Sequence, residues 1–206
     1  MSMIKFVFII FLSSTLMSGC SPVPQATNSE TKAPQFSEEI QAVLNQERNL
    51  LHREMDNPVY LEVLNTANTD KKNQSMTTIL QLDRQWTQNS PKEVLSKTLL
   101  NAACSNQLRV FRSEHPEFAE VFITDGQGLN VCMTNKTSDY YQADEDWWIN
   151  TDNSNDPYGS YGPIEYDDSS STESVALFLP ILDPTTGNKI GILKAVLKLS
   201  TLAEGL

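Results

Sequence analysis

Residues 137–148, TSDYYQADEDWW, set Tyr140, Tyr141, Trp147 and Trp148 among Asp139, Asp144, Glu145 and Asp146. An aromatic face attracts a cation through its quadrupole, and a carboxylate pairs with an ammonium group. The combination suits a recognition pocket. Tyr158, Tyr161 and Tyr166 lie close downstream and concentrate the amphipathic rings in one region. Two structural readings compete, because such rings also fill cores, and acidic residues at 144–146 also favour the N-terminus of a short helix. Catalysis has weaker support. No GxSxG, HExxH or phosphate-loop motif is present, and His52 and His115 are distant in sequence from the aromatic cluster. Asp152, Ser154 and Asp156 alternate as calcium ligands do. Pro157, however, stands where such a loop needs glycine, and Pro163 where it needs a bidentate glutamate. The expectation is a non-enzymatic binding protein without metal or cofactor.

The elements that must position this stretch are legible as a change of period. Residues 36–55 carry apolar side chains at Ile40, Val43, Leu44, Leu51 and Met55, a helical stripe with Ser37 as N-cap ahead of Glu38 and Glu39. Asn57 and Pro58 interrupt it. Residues 58–64 restart a helix, 66–74 read as a loop, and Ile79, Leu82 and Trp86 mark a further helix. Ser90, Pro91 and Glu93 form a capping box, which predicts one helix from Pro91 to near Arg112. Its buried stripe would be Val94, Leu95, Leu99, Ala102, Ala103 and Val110, and His115 with Pro116 would end it. Beyond Phe118 the pattern alternates. Residues 119–124 and 129–134 flank the turn DGQG, and residues 174–182 and 189–199 flank DPTTGN, so two β-hairpins are predicted. In the last strand Leu193, Ala195, Leu197 and Leu199 share a face suited to packing on helices, while Lys194 and Lys198 share a mixed face with Ile192 and Val196. Helices first, then hairpins joined by the aromatic insertion, imply an α+β domain.

The start of the chain bears on where this chemistry operates. Lys5, the apolar run at 6–12 and the small residues up to Gly19 have the form of a signal peptide whose apolar core is too short for a spanning helix. The segment MSGC at 17–20 resembles the lipobox of bacterial lipoproteins. That resemblance implies cleavage after residues 1–19 and acylation of Cys20, with palmitate-type chains holding the protein on a lipid bilayer. Ser21 in place of Asp implies, by the enterobacterial sorting pattern, the outer membrane with the domain facing the periplasm. Residues 20–35, rich in Pro, Ser, Thr, Asn and Ala, read as a flexible tether. One domain then spans 36–206, helical over 36–115 and sheet over 116–206. The chain holds 26 acidic and 15 basic residues, net −11, and loss of Lys5 would make it −12. This excess argues against nucleic acid as a partner, which needs clustered Lys and Arg, and permits cationic ligands. In an oxidising compartment the even pair Cys104 and Cys132 suits a disulfide between helix and sheet.

The runs FITDGQGLNVCMTNKTSDYYQADEDWW, YGPIEYDDSS and ALFLPILDPTTGNKIGILKAVLKL occur in that order. Together, over residues 118–199, they resemble an extracytoplasmic Cache domain, also called a PDC or PAS-like sensor domain. The resemblance implies long N-terminal helices packed on a PAS-like antiparallel sheet. A small ligand would sit between the sheet and a cover formed by residues 139–149. Members usually serve as the sensory parts of chemoreceptors, histidine kinases and diguanylate cyclases. In the amino-acid-binding branch an Arg two residues before a Trp grips the ligand carboxylate. Here Glu145 precedes Trp147 and Asp146 precedes Trp148 at that spacing, which implies a cationic, amine-bearing or neutral ligand. Tyr140, Asp144 and Trp147 resemble the spacing of amine-binding members. The implied site has Asp144 and Asp167 as charge partners and Tyr140, Trp147 and Tyr166 as walls, with Asp146 and Trp148 beside them. The sequence ends at Leu206 without the transmembrane helix and output domain of such receptors. A separate membrane sensor kinase, cyclase or chemoreceptor is therefore the expected partner, and an envelope structural or interaction lipoprotein that reuses the sensor fold is the alternative.

Overall fold

The computed structural model describes residues 36–70, 74–88, 94–167 and 172–203. The signal peptide, Cys20, the tether and the capping box at Ser90 lie outside the described residues. Helix α1 (Glu38–Met55) begins where the Ser37 hydroxyl accepts the Ile40 N–H, and it buries Leu44, Leu51 and Met55. Asn57 turns the chain and its side-chain oxygen accepts the Val59 N–H at the start of α2 (Pro58–Asp70). This helix runs on through residues 66–70, where the sequence suggests a loop. Asn68 holds that extra turn to the sheet by donating to the Ile190 carbonyl at 2.7 Å and accepting the Gly126 N–H at 2.9 Å. Tertiary hydrogen bonds of this kind override a weak local propensity. Helix α3 (Met76–Thr87), capped by Ser75, buries Ile79 and Trp86.

The single helix expected from Pro91 to Arg112 is two helices, α4 (Val94–Leu100) and α5 (Ala103–Glu114). Ala102 between them is extended, with φ −63° and ψ 151°. The break sets the face of α5 independently of α4, so Cys104, Ser105, Leu108 and Phe111 are buried, while Val94 and Val110 are 73% and 50% exposed. Two bonds fix that face on the sheet. Cys104 is disulfide-bonded to Cys132, and the Ser105 hydroxyl accepts the Met133 N–H at 2.9 Å.

Five strands, β1 (Phe118–Asp125), β2 (Asn130–Met133), β3 (Ser160–Asp167), β4 (Thr172–Leu182) and β5 (Lys189–Lys198), form one antiparallel sheet in the order β2-β1-β5-β4-β3. Both expected hairpins are present. Strand β3 falls in the stretch read as insertion, because Gly162 and Pro163 break its alternation and the ladder is irregular between Tyr161 and Ile164. Proline is tolerated there because β3 is an edge strand.

One face of the sheet carries Val121, Ile123, Val175, Leu177, Leu193, Ala195 and Leu197 against Leu44, Leu51, Leu64 and Leu108 of the helices. Each fully buried Val, Ile or Leu among them contributes about 1.5–3 kcal/mol relative to exposure. At Gly191 a Cβ would lie 2.4 Å from the Thr124 carbonyl and 2.7 Å from a Leu64 methyl, so α2 packs directly on this glycine. On the opposite face Phe122 and Met133 join Leu129, Ile79, Trp86 and Tyr140 in a second core. Helix α6 (Asp146–Asn153) lies on that face, and α7 (Leu199–Ala203) follows β5. The architecture is an α+β, PAS-like sheet with helices before it.

Candidate ligand-binding site

The second face of the sheet has even-numbered residues of β5 and β4 pointing outward, and beside the small core they floor an open cavity of ≈ 1390 Å³. Ala176, Phe178, Lys194 and Val196 form its floor and Trp147 a wall. Trp147 stacks on Phe178 with centroids 5.2 Å apart and planes at 18°, and stands edge-on to Phe122 at 5.9 Å. The lining carries five carboxylates, on Glu120, Asp144, Glu145, Asp146 and Glu165, against two lysines, Lys136 and Lys194. The surroundings therefore favour positive charge.

The cover, residues 139–149, and the two residues leading into it are fastened on three sides. Asp83 of α3 accepts the backbone N–H groups of Tyr140 and Tyr141 at 2.8 and 3.1 Å, and the Trp86 indole donates to the Thr137 carbonyl at 2.9 Å. On the sheet side Asn130 donates to the Thr137 hydroxyl and the Asp139 carbonyl, both at 2.8 Å, and Gln142 N–H donates to the Gly128 carbonyl. Gly128 has φ 79°, and a Cβ there would come within 2.5 Å of the Ala143 methyl, so both its conformation and its clearance require glycine. On the third side the Trp148 indole donates to the Thr124 hydroxyl at 2.9 Å. Lys189 at the start of β5 donates to the carbonyls of Thr151, Asp152 and Ser154 and pairs with the Asp152 carboxylate at 3.4 Å. Its ammonium thus sits among the oxygens of the segment whose sequence resembles a calcium loop. Among the described residues no group of three or more His, Cys, Asp or Glu is placed to hold a metal ion.

Of the residues singled out in the sequence, Asp144, Asp146, Trp147 and Tyr166 line the cavity. Tyr140 and Trp148 do not: they are 1% and 7% exposed and belong to the packing beneath the cover. Tyr140 lies tilted against Trp86 at 5.5 Å, so its expected role as a wall is corrected to one of support. Asp167 lies in β3, and its side chain is outside the described residues. Sequence reasoning missed Lys194, Glu120, Glu165 and Phe178. The available signal was a lysine interrupting the apolar alternation of the last strand.

Electrostatics follow burial. Burial pulls the Lys194 pKa below the usual lysine value, and the carboxylates of Glu120, Glu145, Glu165 and Asp139 oppose that shift. The carboxylate of Asp139, in the cover, accepts a hydrogen bond from the Gln142 amide, and burial and the charges of Asp83, Glu145 and Asp144 raise its pKa above the usual carboxylate value. Burial and Asp144 likewise raise the Tyr141 phenol.

The sequence matches no protein-family model, and no curated protein matches it. Solved structures do share its chain path. The extracellular domain assigned to the histidine kinase vpHK1S-Z8 superposes with a TM-score of 0.50 at 10% identity, over 84% of this chain and 59% of that one. The ligand-binding domain of Campylobacter jejuni chemoreceptor Tlp3, solved with 4-methylisoleucine, gives 0.39 at 15% identity, over 82% and 63%. The Escherichia coli DcuS sensor domain gives 0.37 at 17% identity, over 62% and 91%. This chain thus spans less than two thirds of the vpHK1S-Z8 and Tlp3 domains, and at these identities the likeness concerns fold alone. The chain shares the α+β, PAS-like fold of the vpHK1S-Z8 extracellular domain.

Proposed function

We propose that this domain is a small-molecule sensor of the bacterial envelope that takes an amine-bearing ligand in the cavity under residues 139–149. The observation that carries the reading is the lining itself: five carboxylates and a stacked Trp147 face one open cavity on a sheet of sensor-domain fold. Carboxylates gathered around one opening are a favourable place for an ammonium group, through charge pairing and charge-assisted hydrogen bonds. The lining offers recognition chemistry, and neither histidine is part of it, so we assign binding and not catalysis. The lipobox-like segment at 17–20 supports a lipid anchor on Cys20. Among the described residues no helix is long and apolar enough to cross a membrane. Acyl chains enter one leaflet only, so ligand state would pass to a separate membrane kinase, cyclase or chemoreceptor.

The test is a thermal-shift series on the full chain in detergent with diamines, biogenic amines and ω-amino acids. A ligand that binds only the folded state raises the melting temperature, and the rise keeps growing with the logarithm of ligand concentration above its dissociation constant. Amine-dependent stabilisation lost in Asp144→Asn is the expected result. Stabilisation by carboxylates that lack an amine, with none by amines, would overturn the reading.

A further inference from the structure

Lys194 is the feature of the cavity that an amine-binding site does not require. It projects from the middle of β5 into the floor, and its ammonium lies 4.9, 5.8 and 5.9 Å from the ring centroids of Trp147, Phe178 and Phe122. The aromatic position that would attract a ligand cation is therefore taken by the protein's own cation. Rings stabilise the charge of an ammonium but give its three N–H donors no oxygen, and among the described residues no hydrogen bond or ion pair shorter than 4 Å reaches it. A mostly buried donor left in this way gains most from an anionic acceptor. The carboxylates that line the cavity, Glu120, Glu145 and Glu165 among them, stand around the lysine and not on it.

We propose that Lys194 is the anion-reading group of this site, and that the ligand is dipolar: a carboxylate placed on Lys194 and an ammonium placed among the carboxylates. The proposal rests on the amine-binding reading above and adds the second pole. Specificity then comes from separation of charge. A diamine would bring an ammonium toward Lys194, a dicarboxylate would bring a carboxylate to the acidic lining, and both meet like charge at one end. Substitution of Lys194 by Met keeps an apolar stem among the three rings and removes only the charge, and Lys194→Arg keeps the charge.

The experiment is calorimetric titration of the full chain in detergent with ω-amino acids of three to six carbons, the matching diamines and the matching dicarboxylates. The expected order places at least one ω-amino acid at least tenfold tighter than its diamine and dicarboxylate counterparts. Lys194→Met should lose that preference and bind the diamine at least as well as the amino acid, and Lys194→Arg should retain it, with unchanged circular dichroism in both variants. If diamines bind wild type more tightly than amino acids, the inference on Lys194 fails while the amine-binding reading stands. If dicarboxylates bind most tightly, or no member of any series binds, both fail. If Lys194→Met leaves the preference intact, the lysine is a packing residue and the inference is overturned.

Discussion

At the scale of single residues, adjacent tryptophans have different tasks. Trp147 faces the cavity and stacks on Phe178, whereas Trp148 points into the protein and donates to Thr124. Trp147→Ala should abolish ligand-dependent stabilisation in a thermal-shift assay. Trp148→Phe removes one buried hydrogen bond and leaves part of the indole volume empty, so it should cost about 1–3 kcal/mol of stability in denaturant titration and leave the ligand shift in place. Equal loss of the ligand shift in both variants would contradict this division. Glu47 offers a second test. Burial, the Glu117 carboxylate and a hydrogen bond to it hold its pKa above 4.5, against the opposing charge of His115. The folded state therefore favours the protonated form. Its stabilisation is full below pH 4.5 and is lost as pH rises through the higher folded value. Glu47→Gln should match wild type at low pH and melt progressively higher than wild type as pH increases toward neutrality. A difference that does not change with pH would refute the assignment.

Helices and strands were legible to different degrees, for identifiable reasons. The α1 cap at Ser37, the α3 face at Ile79 and Trp86, and both hairpins were readable because local chemistry and tertiary burial agree there. The sequence misplaced the end of α2, where Asn68 bonds to backbone 122 residues away, and it joined α4 to α5 across Ala102. It missed β3, whose proline is acceptable only because the strand lies at the sheet edge. In the site, the 144–147 segment and Tyr166 of the edge strand were found, and the residues of the inner strands were not: Lys194, Glu120 and Phe178 reach the cavity only through strand pairing, with Lys194 opposite both Phe122 and Phe178. The disulfide adds a covalent cross-link between α5 and β2. It closes a separation of 28 residues, so its constraint on the unfolded chain is worth about 3.5 kcal/mol. Replacing both cysteines by Ser should lower the melting temperature by roughly 7–14 °C, and a fall of under about 2 °C would show that packing of α5 on β2 suffices without it.

For the whole molecule, the proposed ligand would be thermodynamically linked to folding through the cavity. At a ligand concentration of 100 times its dissociation constant the folded state gains about 2.7 kcal/mol, a rise of roughly 5–11 °C in melting temperature for a domain of this size. Lys194→Met should reduce this gain for a dipolar ligand without an equal fall in the unliganded melting point, which two melting curves per variant will measure. The irregularity near the start of β5 bears on the same linkage. Lys189 and Lys194 are an odd number of residues apart, a spacing that places side chains on opposite faces of a regular strand. The shift in pairing between Ile181 and Leu182, opposite Lys189 and Gly191, restores the phase, so one lysine secures the end of α6 and the other enters the cavity beneath it. A slip of β5 by one residue would turn both ammonium groups toward the apolar helices at once. The cavity is thus a mark of strand register: only correctly threaded chains can bring Lys194 to its floor and Lys189 to the end of α6.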